Sequence, residues 1–445
     1  MNSNASRFRG TEILLCVLVY LLVHTLSARY QSPITYNHGQ GWDGLHYYNM
    51  AAQFASGTPI QEELPFCNRL GAPYLAAALK GHDVIAGFNI INHTANALTL
   101  VLFAFWLRLF ISNWKIRTLL LALLLTQWLG PFRAAFFYPC STDFAFYPLF
   151  LSGLLCIQWA RSRPVAASLC LGTIVLIGVA FREVLFLLAI GFLFVDNPIS
   201  FPGLIKNCIR LDFRKVLKLP RPIYFLPALL GLCSFILIHK NIHPIPSTYS
   251  FVGAIWDSLW KKPWFTILHG AFIAFGPILV VALFNWKRAW KFLTTHQSLL
   301  VIASGCYTLA YIGGSDTERF WYWSMPITYV LIGQAIQDQW HALQSKGLLC
   351  LLIITQAISQ RLFWTAPDFP NDIPTPLPIL TLPSSHFQYL DLFSDHARRP
   401  IEFVSFIEYL LVTAIILWWL ASRSTRLNPA QPQAPVQTAV PTSIS

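Results

Sequence analysis

The stretch ILLCVLVYLLVHTLSA, residues 13 to 28, consists almost entirely of apolar side chains. An α-helix needs about 20 mainly apolar residues to cross a bilayer, and this run with its flanks reaches that length. Arg7 and Arg9 precede it, as in a signal peptide, but no convincing small-x-small cleavage site follows. We therefore interpret residues 13–28 as a retained first membrane span.

The composition of the whole chain agrees with a membrane protein. Of its 445 residues, 55% are hydrophobic and 11% are charged, whereas a soluble protein carries about 25% charged residues. The sequence predicts an all-α polytopic membrane protein with about twelve transmembrane helices, several of them short. We expect residues 1–427 to form one transmembrane domain. The further apolar runs are 84–107, 118–130, 143–160, 165–181, 183–195, 222–239, 263–284, 298–313, 324–337, 347–360 and 403–421.

The net charge of +12 reflects how the basic residues are distributed. If the N-terminus is cytoplasmic, more than half of the 31 Lys and Arg lie in cytoplasmic segments, with few acids beside them. The positive-inside rule describes this asymmetry. It predicts a multi-pass protein with both termini in the cytoplasm, and it removes the reason to expect a nucleic-acid partner.

Three long segments are expected on the outer side, at 30–83, 240–262 and 361–402. The first contains GWDGLHYYNMAAQFASG and NRLGAPYLAAALKG, which we expect to form short helices at the membrane interface. The last is rich in proline, which predicts an extended covering loop. The tail 428–445 is polar and rich in Pro and Ala, which predicts a disordered cytoplasmic tail. Cys67 and Cys140 both fall on the outer side, where an oxidising compartment would allow a disulfide.

Four polar clusters lie at the outer ends of predicted spans, where charged side chains are costly and indicate function. Each comes from a different connection between spans, yet all four share one face of the membrane. Helix packing can therefore gather them around one cavity. The clusters are Asp43 with His46, Tyr47 and Tyr48; YPCSTDFAFYP with Asp143; FREV with Arg182 and Glu183; and GGSDTERFWYW with Asp316, Glu318 and Arg319.

Most of these clusters also have a purely structural interpretation. The pair at 182–183 could be the solvated tip of a short hairpin. Asp143 could cap the fourth span, and the segment 315–318 has the spacing of a helix N-cap. Glu62 and Glu63, in the first outer segment, are expected to be solvated rather than catalytic.

Two motifs that bind nucleotide-linked substrates are missing from the sequence. GxxxxGK[ST], which cradles phosphates, does not occur, and there is no Asp-x-Asp to hold a metal against a nucleotide sugar. A phosphorylated donor used at the outer face would therefore be carried by a lipid.

The order of several short motifs resembles that of bacterial multispanning glycosyltransferases of the GT-C superfamily. The likeness extends to residue 337 and is greatest to uncharacterised members with a YDGQFYY-type element, from which this chain departs at Trp42 and at Leu45-His46. The motifs are WDGLHYYNMA, PFCNRLGAPYLAAAL, STDFAFYPLFL, FREVLFLL and GGSDTERFWYWSMPI.

This resemblance implies an enzyme of cell-envelope glycan biosynthesis in the bacterial inner (plasma) membrane. Its donor would be a polyprenyl-phosphate sugar, and its acceptor a glycan, a lipid or a protein. The first outer loop would supply the catalytic acid, which is Asp43 in this chain.

The chemistry of such a transfer suits the four clusters. An acceptor hydroxyl needs a base within hydrogen-bond reach, and a leaving phosphate needs cations, for which Arg offers two parallel donors. We expect Asp43 to be the base and Arg319 the main phosphate ligand. No metal ligands are predicted, and a divalent cation is left open as a cofactor. The other candidates for substrate binding are His46, Tyr47, Arg69, Asp143, Arg182, Glu183, Asp316 and Glu318.

Two other functions fit the same features. A non-enzymatic lipid or glycan transporter, or a flippase, would place charges near the middle of the membrane, and Glu408 is an acid inside a predicted span. An outer-face glycan polymerase or ligase would keep its site in a late outer loop. The segment 361–402 contains His386, His396, Arg398 and Arg399, so this alternative stays open.

Overall fold

The computed structural model describes residues 9–128, 130–196, 220–242, 244–246, 250–313, 317–362, 365–366 and 398–427. Within these ranges every regular element is a helix, apart from an isolated β-bridge between Glu63 and Ile245. This confirms the predicted all-helical class. Asp316, most of the segment 361–402 and the tail 428–445 lie outside the described residues.

The first part of the chain forms helices up to the connection after residue 192. Two single turns of 3-10 helix, Phe66–Asn68 and Glu183–Leu185, lie between them. These helices are α1 (Gly10–Tyr30), α2 (Gly44–Ser56), α3 (Gly71–Lys80), α4 (Val84–Phe110), α5 (Trp114–Thr126), α6 (Pro131–Phe137), α7 (Asp143–Trp159), α8 (Pro164–Gly178) and α9 (Phe186–Phe192).

The second part begins with a 3-10 turn at Pro222–Phe225 and continues as helices to residue 427. These are α10 (Leu226–Asn241), α11 (Phe251–Lys261), α12 (Thr266–Phe275), α13 (Leu279–Phe284), α14 (Trp286–Thr295), α15 (Gln297–Ile312), α16 (Thr317–Trp323), α17 (Met325–Asp338), α18 (Trp340–Leu343), α19 (Lys346–Ser359) and α20 (Arg398–Leu427).

Five helical segments of the described chain are long and apolar enough to cross a membrane, and six shorter apolar helices accompany them. These numbers indicate a membrane protein, but they do not confirm about twelve spans. One physical reason is that the predicted run 263–284 is divided at Gly276, which ends α12. The five segments are Gly10–Tyr30, Val84–Phe110, Trp114–Phe137, Pro222–Asn241 and Phe403–Arg423.

The break between α12 and α13 is held by side-chain amides from other helices. Gly276 has a φ of 75°, which glycine adopts readily, and it ends α12. Gln356 of α19 donates to the carbonyl of Phe275 at 2.9 Å and accepts from the N–H of Ile278 at 3.0 Å. Gln127, after α5, donates to the carbonyl of Ala274. Backbone groups that the break leaves unpaired are thus satisfied inside the protein, as a bilayer requires.

The long helix α4 defines two ends of the bundle. Its first residues pack against α2 and α3, and we call this the Asp43 end. At its last turn, Phe110 contacts Phe292 of α14 with ring centroids 5.4 Å apart. This second end carries Lys115, Lys287 and Lys291, and we call it the basic end.

Packing also decides the question of a disulfide. Cys67 and Cys140 are both buried free thiols, and they belong to different clusters of buried side chains. The Cys67–Cys140 disulfide that the sequence allowed is therefore absent from the structure.

Candidate functional site

Asp43 is the residue immediately before α2, on a turn that packs directly against another segment. Gly41 has a φ of 77°, and a Cβ on it would overlap the ring of Tyr138. A Cβ on Gly44 would lie 2.7 Å from the carbonyl oxygen of Cys140. The two glycines therefore allow a close approach that no other residue permits. The side chain of Asp43 keeps 33% of its surface exposed.

The glycines here have a spacing with another known meaning. Gly39, Gly41 and Gly44 match G-x-G-x-x-G, the fingerprint of dinucleotide-binding folds. That fingerprint requires a preceding β-strand, whereas Tyr30 ends a helix and residues 31–43 form turns without a strand. The match therefore does not indicate a nucleotide site.

Asp43 is the first member of a chain of four alternating charges. One guanidinium nitrogen of Arg319 lies 3.5 Å from the carboxylate of Asp43, and another lies 3.6 Å from that of Asp143. Asp143 in turn contacts Arg182 at 2.5 Å. These residues come from the turn before α2, the start of α7, the segment after α8, and α16. The structure thus brings together one residue from each predicted polar cluster, and we call the four the ion-pair chain.

Exposure divides the ion-pair chain into an open half and a closed half. The side chains of Asp43 and Arg319 are 33% and 26% exposed, whereas those of Asp143 and Arg182 are 11% and 2% exposed. Arg182 also lies over the ring of Trp323, 5.1 Å from its centroid. The interpretation of Arg182 as a solvated hairpin tip is therefore wrong. Asp43 and Arg319 are therefore partly open to solvent, and Asp143 of the closed half contacts Arg319 from the other side.

The structure places Asp143 one position from the helix cap that the sequence allowed. Asp143 is the first residue of α7, and its N–H donates to the hydroxyl of Ser141 at 3.2 Å. A carboxylate in the first turn of a helix is favoured by the helix dipole. Glu318 likewise lies in the first turn of α16, where it is buried.

A second polar group joins α2 to the FREV segment. Arg69 donates to the hydroxyl of Tyr47 at 2.8 Å and to the carboxylate of Glu183 at 3.1 Å. The ring of Tyr47 is buried, so its face is not open for stacking on a sugar. Arg69 therefore ties the loop after α2 to the segment that carries Arg182.

His46 belongs to a third group, in which a prediction about Glu62 fails. Nδ1 of His46 lies 2.7 Å from the carboxylate of Glu62, which is buried rather than solvated. The imidazole ring stacks on Phe66, with centroids 4.1 Å apart and planes within 5°. The hydrogen bond to Glu62 raises the pKa of His46, against the opposing effect of burial. Glu63 is exposed, as expected.

Sequence reasoning missed three residues that shape the site: Glu62, Phe66 and Tyr138. Tyr138 was visible inside the YPCSTD motif, but nothing in its spacing indicated that it packs under Gly41. The placement of Asp316 lies outside the described residues. In the part of the chain that the structure describes, no three His, Cys, Asp or Glu side chains are grouped so as to hold a metal ion.

Taken together, fold and site define an all-helical membrane protein with an acid–arginine cluster at one end of the bundle. No family model matches the chain, and neither a curated protein nor a solved structure does. Membership of the GT-C superfamily therefore stays a prediction.

Proposed function

We propose that the protein is an integral-membrane glycosyltransferase that moves a sugar from a polyprenyl-phosphate donor to a glycan, lipid or protein acceptor. The observation that carries this proposal is the open half of the ion-pair chain. A carboxylate and a guanidinium, 3.5 Å apart and both partly exposed, sit side by side at one end of a membrane bundle. Transfer from a lipid phosphate needs these two groups, a base for the acceptor hydroxyl and a cation for the leaving phosphate.

In this mechanism Asp43 accepts the proton of the acceptor hydroxyl as that oxygen attacks the anomeric carbon of the sugar. The bond to the phosphate oxygen breaks, and the phosphate leaves with its negative charge against Arg319. Asp143 orients Arg319 from the other side, and Arg182 neutralises Asp143. The planar fork of an arginine suits a phosphate because it offers two parallel donors.

The break between α12 and α13 bears on the transporter alternative. Transporters use interrupted helices whose free backbone ends face a substrate cavity. Here the carbonyls of Ala274 and Phe275 are occupied by Gln127 and Gln356. These two carbonyls therefore already have donors within the protein, so the break does not favour the transporter alternative.

The experiment compares wild type with Asp43→Asn, which keeps the size of the side chain and removes its basicity. Purified full-length protein is supplied with a panel of radiolabelled polyprenyl-phosphate sugars and with membrane extract as the source of acceptor. We expect transfer to fall by about 10²-fold or more, within the range of general base catalysis. Glu63→Gln is the matched control, because Glu63 is an exposed acid in the same segment. Equal rates in wild type and Asp43→Asn would remove Asp43 from the mechanism.

A further inference from the structure

A groove of about 460 Å³ opens on the side of the bundle, between α5, α17 and α19. Its surface is almost entirely apolar, with Leu119 and Leu123 on one side and Ile336, Leu352 and Ile353 on the others. Trp114–Phe137, which contains α5, is one of the segments able to cross a membrane. The groove therefore faces the hydrocarbon of the bilayer, and lipid chains are the apolar molecules available to fill it.

The length of the groove is that of one lipid leaflet. From Leu349 in α19 to Gln360 just after it, the lining extends about 16 Å at a rise of about 1.5 Å per residue. Half of a hydrocarbon core of about 30 Å is about 15 Å. A single acyl chain of a phospholipid spans this depth.

The groove ends at the basic end of the bundle, beside helix α14. Trp340 and Gln344 line its last part, and Lys346 begins α19 next to them. Two contacts join α14 to this corner: Gln339 donates to Asn285 at 3.1 Å, and Arg288 pairs with Asp338. The headgroup of a lipid in the groove would thus lie close to α14.

Helix α14 has the side chains of a helix that lies at a membrane surface. Lys287 and Lys291 are both exposed and stand one turn apart, and so do Trp286 and Trp290. Leu293 faces the interior of the protein. Basic residues beside interfacial tryptophans are the pattern that binds anionic headgroups.

We propose that the groove binds one acyl chain of an anionic phospholipid, whose headgroup lies against Lys287, Lys291 and Lys346. This site is at the opposite end of the bundle from Asp43, so it is separate from the proposed transfer reaction. The apolar walls of the groove bind the acyl chain, and the positive charges of the three lysines favour an anionic headgroup.

The test uses full-length protein in detergent, with dioleoylphosphatidylglycerol and dioleoylphosphatidylcholine offered separately and bound lipid counted by native mass spectrometry. Wild type should retain more phosphatidylglycerol. Lys287→Gln/Lys291→Gln should weaken phosphatidylglycerol binding about tenfold or more and leave phosphatidylcholine unchanged. The control is Lys80→Gln/Lys240→Gln, two exposed lysines away from the basic end, which should behave as wild type.

A second pair of variants tests the groove itself. Ala357→Phe puts a ring into it and should reduce retention of both lipids; Ala122→Leu serves the same purpose if Ala357→Phe does not fold. Three results would overturn the proposal: equal retention of the two lipids by wild type, unchanged retention in the folded groove variants, or displacement of phosphatidylglycerol from wild type by an equal concentration of polyprenyl phosphate.

Discussion

The hydroxyl of Tyr138 accepts a hydrogen bond from the backbone N–H of Gly44 at 2.6 Å. Gly44 is the first residue of α2, and Asp43 directly precedes it. This bond therefore fixes the start of α2 on the segment that leads into α7, where Asp143 lies. The distance between the two carboxylates that flank Arg319 depends on it.

Removing this bond should disturb the site without unfolding the protein. In Tyr138→Phe the N–H of Gly44 loses its acceptor, which costs about 1 kcal/mol of stability. Because a shift of about 1 Å in a reacting group can cost up to about 10²-fold, we expect sugar transfer to fall at least severalfold. Transfer rate and thermal unfolding are measured together. Tyr30→Phe, on an exposed tyrosine, is the control, and an unchanged rate in Tyr138→Phe would show that the bond does not position Asp43.

Replacing Arg319 by lysine separates charge from geometry. Lysine keeps the positive charge but cannot contact Asp43 and Asp143 through two nitrogens of one planar group. We expect Arg319→Lys to lose most of the transfer activity, with little change in unfolding temperature because the side chain is partly exposed. Arg29→Lys provides the comparison at an exposed arginine. Full activity in Arg319→Ala would exclude Arg319 from phosphate binding.

The pair of His46 and Glu62 should make stability depend on pH. The pKa of His46 is raised above its usual value of about 6.5, first by the hydrogen bond to Glu62 and further by the charges of Glu62, Asp43 and Glu63. A raised pKa in the folded state means that the pair stabilises fully below about 6.5, and the contribution disappears as the pH rises through the folded pKa.

The measurement is the unfolding temperature of wild type and His46→Gln between about pH 5.5 and about pH 9. This range begins about one unit below the usual pKa of histidine and extends well above it. The difference between the two proteins should be largest at acid pH and should shrink as the solution becomes alkaline. A difference that grows with pH would have the wrong sign and would contradict the pairing.

At the basic end, Glu12 and Arg117 form a buried ion pair with two hydrogen bonds, of 2.7 and 2.6 Å. Arg117 also donates to the carbonyls of Ile111 and Ser112, so it joins α1 to the turn between α4 and α5. Removing one partner of a buried pair costs about 3–5 kcal/mol, because the other charge is left buried. Glu12→Gln should therefore lower the unfolding temperature, whereas Lys115→Gln, on the exposed side of α5, the helix of Arg117, should not. Restored stability in Glu12→Leu/Arg117→Met would support this cause.

Some parts of this structure follow from sequence and others require the folded chain. Composition and apolar runs predict an all-helical membrane bundle, and the helical positions of 44–56 and 71–80 follow from the glycines and apolar spacing around them. The sequence predicts that Asp43 and Arg319 lie on the same side of the membrane, and charges inside or beside spans need partners, so their contact could be expected. Which acid pairs with which arginine was not predictable, because the pairing depends on how α2, α7 and α16 cross.

The failures have a similar physical origin. Glu62 looks like a surface acid, and only the position of His46 and Phe66, brought over it by folding, makes its burial possible. The hydropathy pattern does not reveal the break at Gly276, because the residues on both sides of it are apolar. Its stability comes from Gln127 and Gln356, which lie far away in the sequence.

Those amides also impose an order on how the chain is inserted into the membrane. When α12 and α13 leave the ribosome, Gln356 has not yet been synthesised, and the carbonyl of Phe275 lacks its donor. An unsatisfied carbonyl in lipid costs several kcal/mol, so this helix pair is unstable there on its own. The segment is completed only when α19 arrives about 80 residues later, which makes assembly of this half of the bundle a late, cooperative step in biosynthesis.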